Sequence, residues 1–273
     1  MTYDIPTLLP LLLLLMASSA FAGVLAGLFG VGGGIVLVPV FFFVFSGLGF
    51  GGPQLMQVCL ATSLASIIVT SIRSVHSHNK KGAVDWDVLK TWAPGIVIGA
   101  ALGMLTAASL RSAVLAVIFG VLAGLVGLYM AFGRQHWRLG QAMPTGIARA
   151  MLSPLVGFMS VLMGIGGGSF GVPLMTLYNM PMHRAVATAA GFGLLIAVPS
   201  VIGFLLLGVE GAPPFTIGAV NLPAFLIAVS MTLITTPWGA KLAHALPAMT
   251  LRRIFAVFIL IVAANMLRKA LWG

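Results

Sequence analysis

Residues 30–39 read Gly30-Val31-Gly32-Gly33-Gly34-Ile35-Val36-Leu37-Val38-Pro39, and the same spacing returns at Gly164-Ile165-Gly166-Gly167-Gly168-Ser169-Phe170-Gly171-Val172-Pro173. Both stretches interrupt apolar sequence. A glycine inside a helix costs about 1 kcal/mol relative to alanine, so three in a row predict that one helix stops and another starts. A restarted helix presents unsatisfied N–H groups and the positive end of its dipole, which suits an anion. Two such breaks at corresponding places in a lipid-facing chain are the pattern of repeat-built transporters, whose sites lie near the bilayer midplane at interrupted helices. The alternative is that both breaks only kink helices around a tight crossing.

Composition fixes the surroundings. The 273 residues are 60% apolar and 7% charged, with a mean hydropathy of +1.14, which excludes a soluble globular domain. Ten apolar runs are legible: 7–29, 33–46, 55–75, 88–108, 112–132, 148–165, 168–180, 184–207, 222–245 and 251–271. Most approach the ~20 residues a helix needs to cross about 30 Å of hydrocarbon. Runs 33–46 and 168–180 are too short to cross upright, and each follows a glycine break, so half-helices or re-entrant pieces are expected there. The predicted fold is an all-α integral membrane protein, a single transmembrane domain over 1–273. Ala20-Phe21-Ala22 imitates a signal-peptide cleavage site, but the stretch before it carries Asp4 and no Lys or Arg, so it reads as the first membrane helix. Cys59 is the only cysteine, so neither an intrachain disulfide nor a multi-cysteine metal site can form, and no cofactor is implied.

The duplication extends beyond the glycines. Met56 to Thr62 lines up with Met182 to Thr188, and Gly82-Ala83-Val84-Asp85 with Gly218-Ala219-Val220-Asn221. This gives repeats over about 7–132 and 148–272, joined by a basic linker, 133–147, expected in the cytoplasm. The linker after the third run carries Arg73, Lys80, Lys81 and Lys90, whereas its counterpart around Glu210 to Asn221 carries no cation. By the positive-inside rule the two halves are inverted, with both termini outside. Of the 14 Lys and Arg, only Arg111, Arg268 and Lys269 then lie outside. The net charge of +10 therefore needs no nucleic acid, whose binding would gather cations on one face. The partners expected are membrane lipid and a small anion. Oligomeric state stays open, a homodimer included.

Several side chains are candidates for chemistry. Gly95, Gly99 and Gly103, and less regularly Gly23, Gly27 and Gly30, form small-residue ridges that let helices approach closely in lipid. Cys59, Ser63, Ser66 and Thr70 make one polar helix stripe, suited either to an oxyanion or to hydrogen bonds between and within helices. Arg184 is either a counter-charge for the substrate or a loop anchor, and His183 is a weaker candidate for proton coupling. The carboxylates Asp4, Asp85, Asp87 and Glu210 all lie outside the apolar runs, which argues against proton or sodium coupling. Export of an anion does not require coupling, because a potential negative inside favours exit by about 2.3 kcal/mol per charge per 100 mV. Export is the expectation, with coupled uptake as the alternative. Gly167-Gly168-Ser169-Phe170-Gly171 also fits the GxSxG pattern of a serine hydrolase. Against that reading, the first copy has Ile35 in place of the serine and no buried acid is available to orient a histidine.

The paired GxGGGxxxxP segments, followed by Leu60-Ala61-Thr62-Ser63 and by Ala185-Val186-Ala187-Thr188 at the starts of the next helices, resemble the sulfite exporter TauE/SafE family, also called the toluene sulfonate uptake permease family. The resemblance covers nearly the whole chain. It implies a multi-pass permease of the bacterial plasma or inner membrane that moves sulfite, thiosulfate, sulfoacetate, taurine-derived sulfonates or similar anions. Where that family often has Thr-Ser in both halves, the second half here reads Thr188-Ala189 and offers Ser169 instead. The expected substrate-binding set is Gly32, Gly33, Gly34, Thr62, Ser63, Gly166, Gly167, Gly168, Ser169 and Thr188, with Arg184 added.

Overall fold

A computed structural model describes residues 5–29, 33–132, 138–245 and 248–272. Each apolar run becomes one helix, with ends shifted by at most a few residues. The first half contains α1 (Ile5–Phe29), α2 (Gly34–Gly47), α3 (Leu55–Asn79), α4 (Trp86–Ser109) and α5 (Ser112–Phe132). The second contains α6 (Gly146–Leu162), α7 (Gly168–Leu177), α8 (Met182–Leu205), α9 (Leu222–Ala245) and α10 (Ala248–Trp272). Among the described residues, six helices are long and apolar enough to cross a membrane by length and composition. The helices after the breaks are short, 14 residues in α2 and 10 in α7. Leu102 and Leu105 of α4 and Leu125 and Leu128 of α5 are exposed, a surface that only lipid or another apolar partner suits. The protein is an all-α integral membrane protein.

One small element was not legible in sequence. Thr216–Ile217 (β1) pairs antiparallel with Val220–Asn221 (β2) in the α8–α9 connection. The turn between them uses Gly218 at φ +57°, and a side chain there would collide with the Phe204 and Leu205 carbonyls. Gly82, its counterpart before α4, also has positive φ, +63°. The residues that follow are matched too. Asp85 caps α4 by accepting from the Val88 N–H at 3.1 Å, and Asn221 accepts from the Ala224 N–H at 3.1 Å at the start of α9. Such caps each stabilise a helix by about 1 kcal/mol.

Each short helix starts directly behind the glycines of its break. α6 stops at Leu162, and the chain turns through Gly164 at φ +60° before α7 begins. α2 starts behind Gly33 at φ +72°, while Gly30, Val31 and Gly32 lie outside the described residues. Packing joins the halves: α1 lies along α9, α4 along α6 and α5 along α10, with α3 against α8 at the centre. Close backbone approach makes this possible. A methyl built on Gly103 would come within 2.9 Å of the Phe158 carbonyl of α6, and one on Gly239 would overlap the Val24 backbone of α1. Gly95 and Gly99 press on Ser153 and Pro154 in the same way, so the ridge Gly95–Gly99–Gly103 is a packing surface. Trp92 of α4 and Phe192 of α8, both buried, stack at 6.2 Å and brace α8 from outside.

Candidate functional site

The second break and the start of α2 meet at the centre of the molecule. The Ser63 hydroxyl donates to the Gly164 carbonyl at 2.7 Å in a fully buried contact. A methyl added to Gly34 would approach that same carbonyl oxygen to 2.6 Å and the Ile165 Cα to 3.0 Å. Only glycine lets the two segments touch.

Beside this contact opens a narrow cleft. One wall is Gly166–Gly168, where α7 begins, and Thr70, Ser71, Ser74 and Thr236 are in the lining, the Thr70 hydroxyl donating back to the Ser66 carbonyl and the Thr236 hydroxyl to the Thr232 carbonyl. Small residues, among them Ala189, Ala190 and Gly193 of α8, complete the lining. The amides of Gly168, Ser169 and Phe170 precede the first full turn of α7, whose earliest α-helical bond is from the Gly171 N–H to the Gly167 carbonyl at 2.7 Å. The positive end of a short helix therefore forms part of the cleft. No charged side chain is among the described lining. The described residues also hold no cluster of His, Cys, Asp and Glu able to bind a metal. Gly167 has to be glycine, because a Cβ there would overlap the Phe192 Cβ and lie 2.8 Å from the Ala189 carbonyl oxygen.

The residues proposed from sequence fall into two groups. Gly166, Gly167 and Gly168 line the cleft, and the Ser169 hydroxyl in the first turn of α7 is buried without a hydrogen-bond partner. Gly33 and Gly34 are buried at the start of α2, and Gly32 lies outside the described residues. The hydroxyls of Thr62 and Thr188 have another task. Thr188 accepts from the Asp85 N–H at 2.9 Å, and Thr62 accepts from the Asn221 N–H at 3.0 Å. Each threonine thus holds the cap of a helix from the opposite half, and neither lines the cleft. Most of the polar stripe on α3 is spent in the same way. Ser63 bonds Gly164, Ser66 donates back to the Thr62 carbonyl at 3.0 Å, and only Thr70 reaches the cleft.

Arg184 pairs with Asp85 at 3.0 Å instead of facing the cleft, and its side chain is 44% exposed. An ion pair this wet contributes about 0–1 kcal/mol. Arg184→Ala is therefore expected to leave the half-saturating anion concentration in a reconstituted transport assay within about twofold of the parent. The hydrolase reading fails on geometry: no base hydrogen-bonds the Ser169 hydroxyl.

Ser71, Ser74 and Thr236 were missed in sequence. Ser74 extends the Ser66–Thr70 spacing by one more turn of α3, which is a signal visible in the sequence. Thr236 carried no comparable signal, because its place in the lining depends on the packing of α9 against α1.

The family description "Sulfite exporter TauE/SafE" matches residues 15–266. A probable membrane transporter protein of Haemophilus influenzae is 31% identical over 260 residues, covering 94% of this chain and 98% of that relative. A probable membrane transporter protein of Methanocaldococcus jannaschii is 28% identical over 251 residues, covering 92% of each chain. The probable membrane transporter protein YunE of Bacillus subtilis is 29% identical over 196 residues, covering 64% of this chain and 71% of that relative. No solved structure matches the chain. With a match that spans both glycine breaks and every residue lining the cleft, the chain belongs to the sulfite exporter TauE/SafE family of membrane transporters.

Proposed function

We propose that this transporter carries small oxyanions of the sulfite, thiosulfate or organosulfonate class, bound in the cleft at the start of α7. The observation that carries this reading is a cleft with Gly166–Gly168, at the start of a helix, in its wall and serine and threonine residues around it, with no carboxylate in its described lining. Amides and hydroxyls replace the hydration shell of an oxyanion, and the helix dipole adds a fixed partial positive charge. A lysine or arginine in the same place would hold the anion more tightly but release it more slowly. Sulfite and sulfonate groups each present three oxygens to such a cradle, so recognition centres on the head group and tolerates different tails.

Orientation and direction belong to the same proposal. With the cation-rich α3–α4 linker in the cytoplasm, the halves are inverted, both termini are outside, and the cleft at the α3 C-terminal end faces inward. The equivalent pairings of α1 with α9 and α4 with α6 support an inverted repeat. An inward-facing anion site without an intramembrane carboxylate fits export down the membrane potential.

The test is charge movement in proteoliposomes on a solid-supported membrane, challenged in turn with sulfite, thiosulfate, sulfoacetate, taurine, acetate and chloride at fixed pH. A saturable current for at least one sulfur oxyanion, absent for chloride, is expected. Currents of equal size for chloride and every other anion would contradict a selective oxyanion cradle. Clamping the potential at zero is expected to diminish outward flux, and undiminished flux would contradict potential-driven export.

A further inference from the structure

The repeat gives most residues of the cleft on α3 and α8 a counterpart in the other half. Pairing Thr62 with Thr188 also pairs Leu64 with Ala190, Ile67 with Gly193, Thr70 with Ile196 and Ser74 with Ser200. Ala190, Gly193, Thr70 and Ser74 line the open cleft. Leu64, Ile67, Ile196 and Ser200 are all 0% exposed. The region opposite the cleft is therefore filled by three bulky apolar side chains where the cleft has alanine, glycine and threonine.

Ile67 holds the decisive position among them. Methyls built on Gly34, Gly166 and Gly193 would come within 3.1, 3.3 and 3.6 Å of its side chain. It is wedged between the start of α2, the second break and α8. One turn earlier on the same helix, Ser63 is tied to the second break through the Gly164 carbonyl. Ala189, the counterpart of Ser63, has no hydroxyl with which to make such a bond. The closed side is held by a hydrogen bond that the open side has no side chain to reproduce.

We propose that Ile67 is the gate between the cleft and the opposite face, latched by the Ser63 hydroxyl on Gly164, and that this latch holds the protein in the one-side-open state. The proposal rests on the transporter reading of the cleft, because a gate matters only if something passes it. Interiors of packed helices switch between discrete arrangements and do not deform continuously, so removing one buried bond shifts a population between two states.

The test uses single-cysteine variants of the full chain in a Cys59→Ala background, reconstituted in proteoliposomes and exposed to a membrane-impermeant maleimide from each side. Ser74→Cys reports on the cleft, and Ser200→Cys reports on its equivalent across the gate. Ser74→Cys is expected to react at least about tenfold faster than Ser200→Cys, as a population bias of that order would give. Adding Ser63→Ala or Ile67→Val is expected to raise Ser200→Cys labelling about fivefold, the shift that loss of one buried contact produces. Ser63→Thr, which keeps the hydroxyl, should leave that rate at the parent value. Ser200→Cys labelling unmoved by both Ser63→Ala and Ile67→Val overturns the gate, as does equal acceleration by Ser63→Thr. The readout needs no transported anion. The expected labelling pattern with a silent anion panel would overturn the anion reading and keep the gate, and a saturable current with immobile Ser200→Cys labelling would do the reverse.

Discussion

Gly167→Leu is expected to abolish the anion-evoked current while leaving a folded protein. The branched side chain would have to occupy the space of the Phe192 Cβ and approach the Ala189 carbonyl and the Gly193 amide, 2.8 and 3.1 Å from a Cβ at this position. Because those are atoms of the α8 backbone and of the Cβ next to it, they cannot move aside as the end of a flexible side chain would. The start of α7 must therefore shift away from α8, taking Gly167 and Gly168 out of the cleft wall. Each hydrogen bond to a charged group is worth about 1.5–3 kcal/mol, so losing even one raises the half-saturating anion concentration about tenfold or more. Gly208→Ala is the matched control, since nothing lies within 4 Å of a Cβ there. Loss of current in Gly167→Leu, in protein that still folds but with a lowered unfolding midpoint because the site is overpacked, beside a normal Gly208→Ala, is the expected outcome. An undiminished current in Gly167→Leu would remove the α7 amides from the site.

The second large effect is on stability and lies in the two threonines. Thr62→Val and Thr188→Val keep side-chain shape and delete the acceptor for the Asn221 and Asp85 N–H groups. A buried donor left without a partner costs about 1–3 kcal/mol. The Thr62–Asn221 bond is buried and the Thr188–Asp85 bond only partly so. Water can replace Thr188 in part but not Thr62, so Thr62→Val should lower the thermal midpoint in detergent more than Thr188→Val. Serine at either place should recover most of the loss, because the hydroxyl returns. Equal midpoints for Thr62→Val, Thr188→Val and the parent would show that these bonds do not hold the halves together.

The helices were legible because each depends on local properties: the length of an apolar run and a glycine triplet that halts it. The two short helices after the breaks were equally readable, since 33–46 and 168–180 are too short to span. The site was readable only in its backbone. Gly166 to Gly168 announce a helix restart in sequence, and the structure puts them in the cleft. Which partner a hydroxyl takes is a long-range matter. Thr62 finds an amide 159 residues away and Ser63 a carbonyl 101 residues away, so sequence alone could not separate these two from Thr70. Arg184 is similar: its carboxylate, Asp85, comes from the other half of the chain. The two-residue hairpin before α9 is too short to leave a periodic signal.

An oxyanion bound as proposed sits on the first turn of α7. Hydrogen–deuterium exchange of the native transporter, read by mass spectrometry with and without an anion that gives a saturable current, locates it. The amides from Gly166 to Phe170 are expected to exchange more slowly in the presence of that anion, with half-protection at the concentration that half-saturates the current, and with chloride giving no change. Protection absent from this segment and appearing instead around Arg184 or the basic α3–α4 linker would contradict the account.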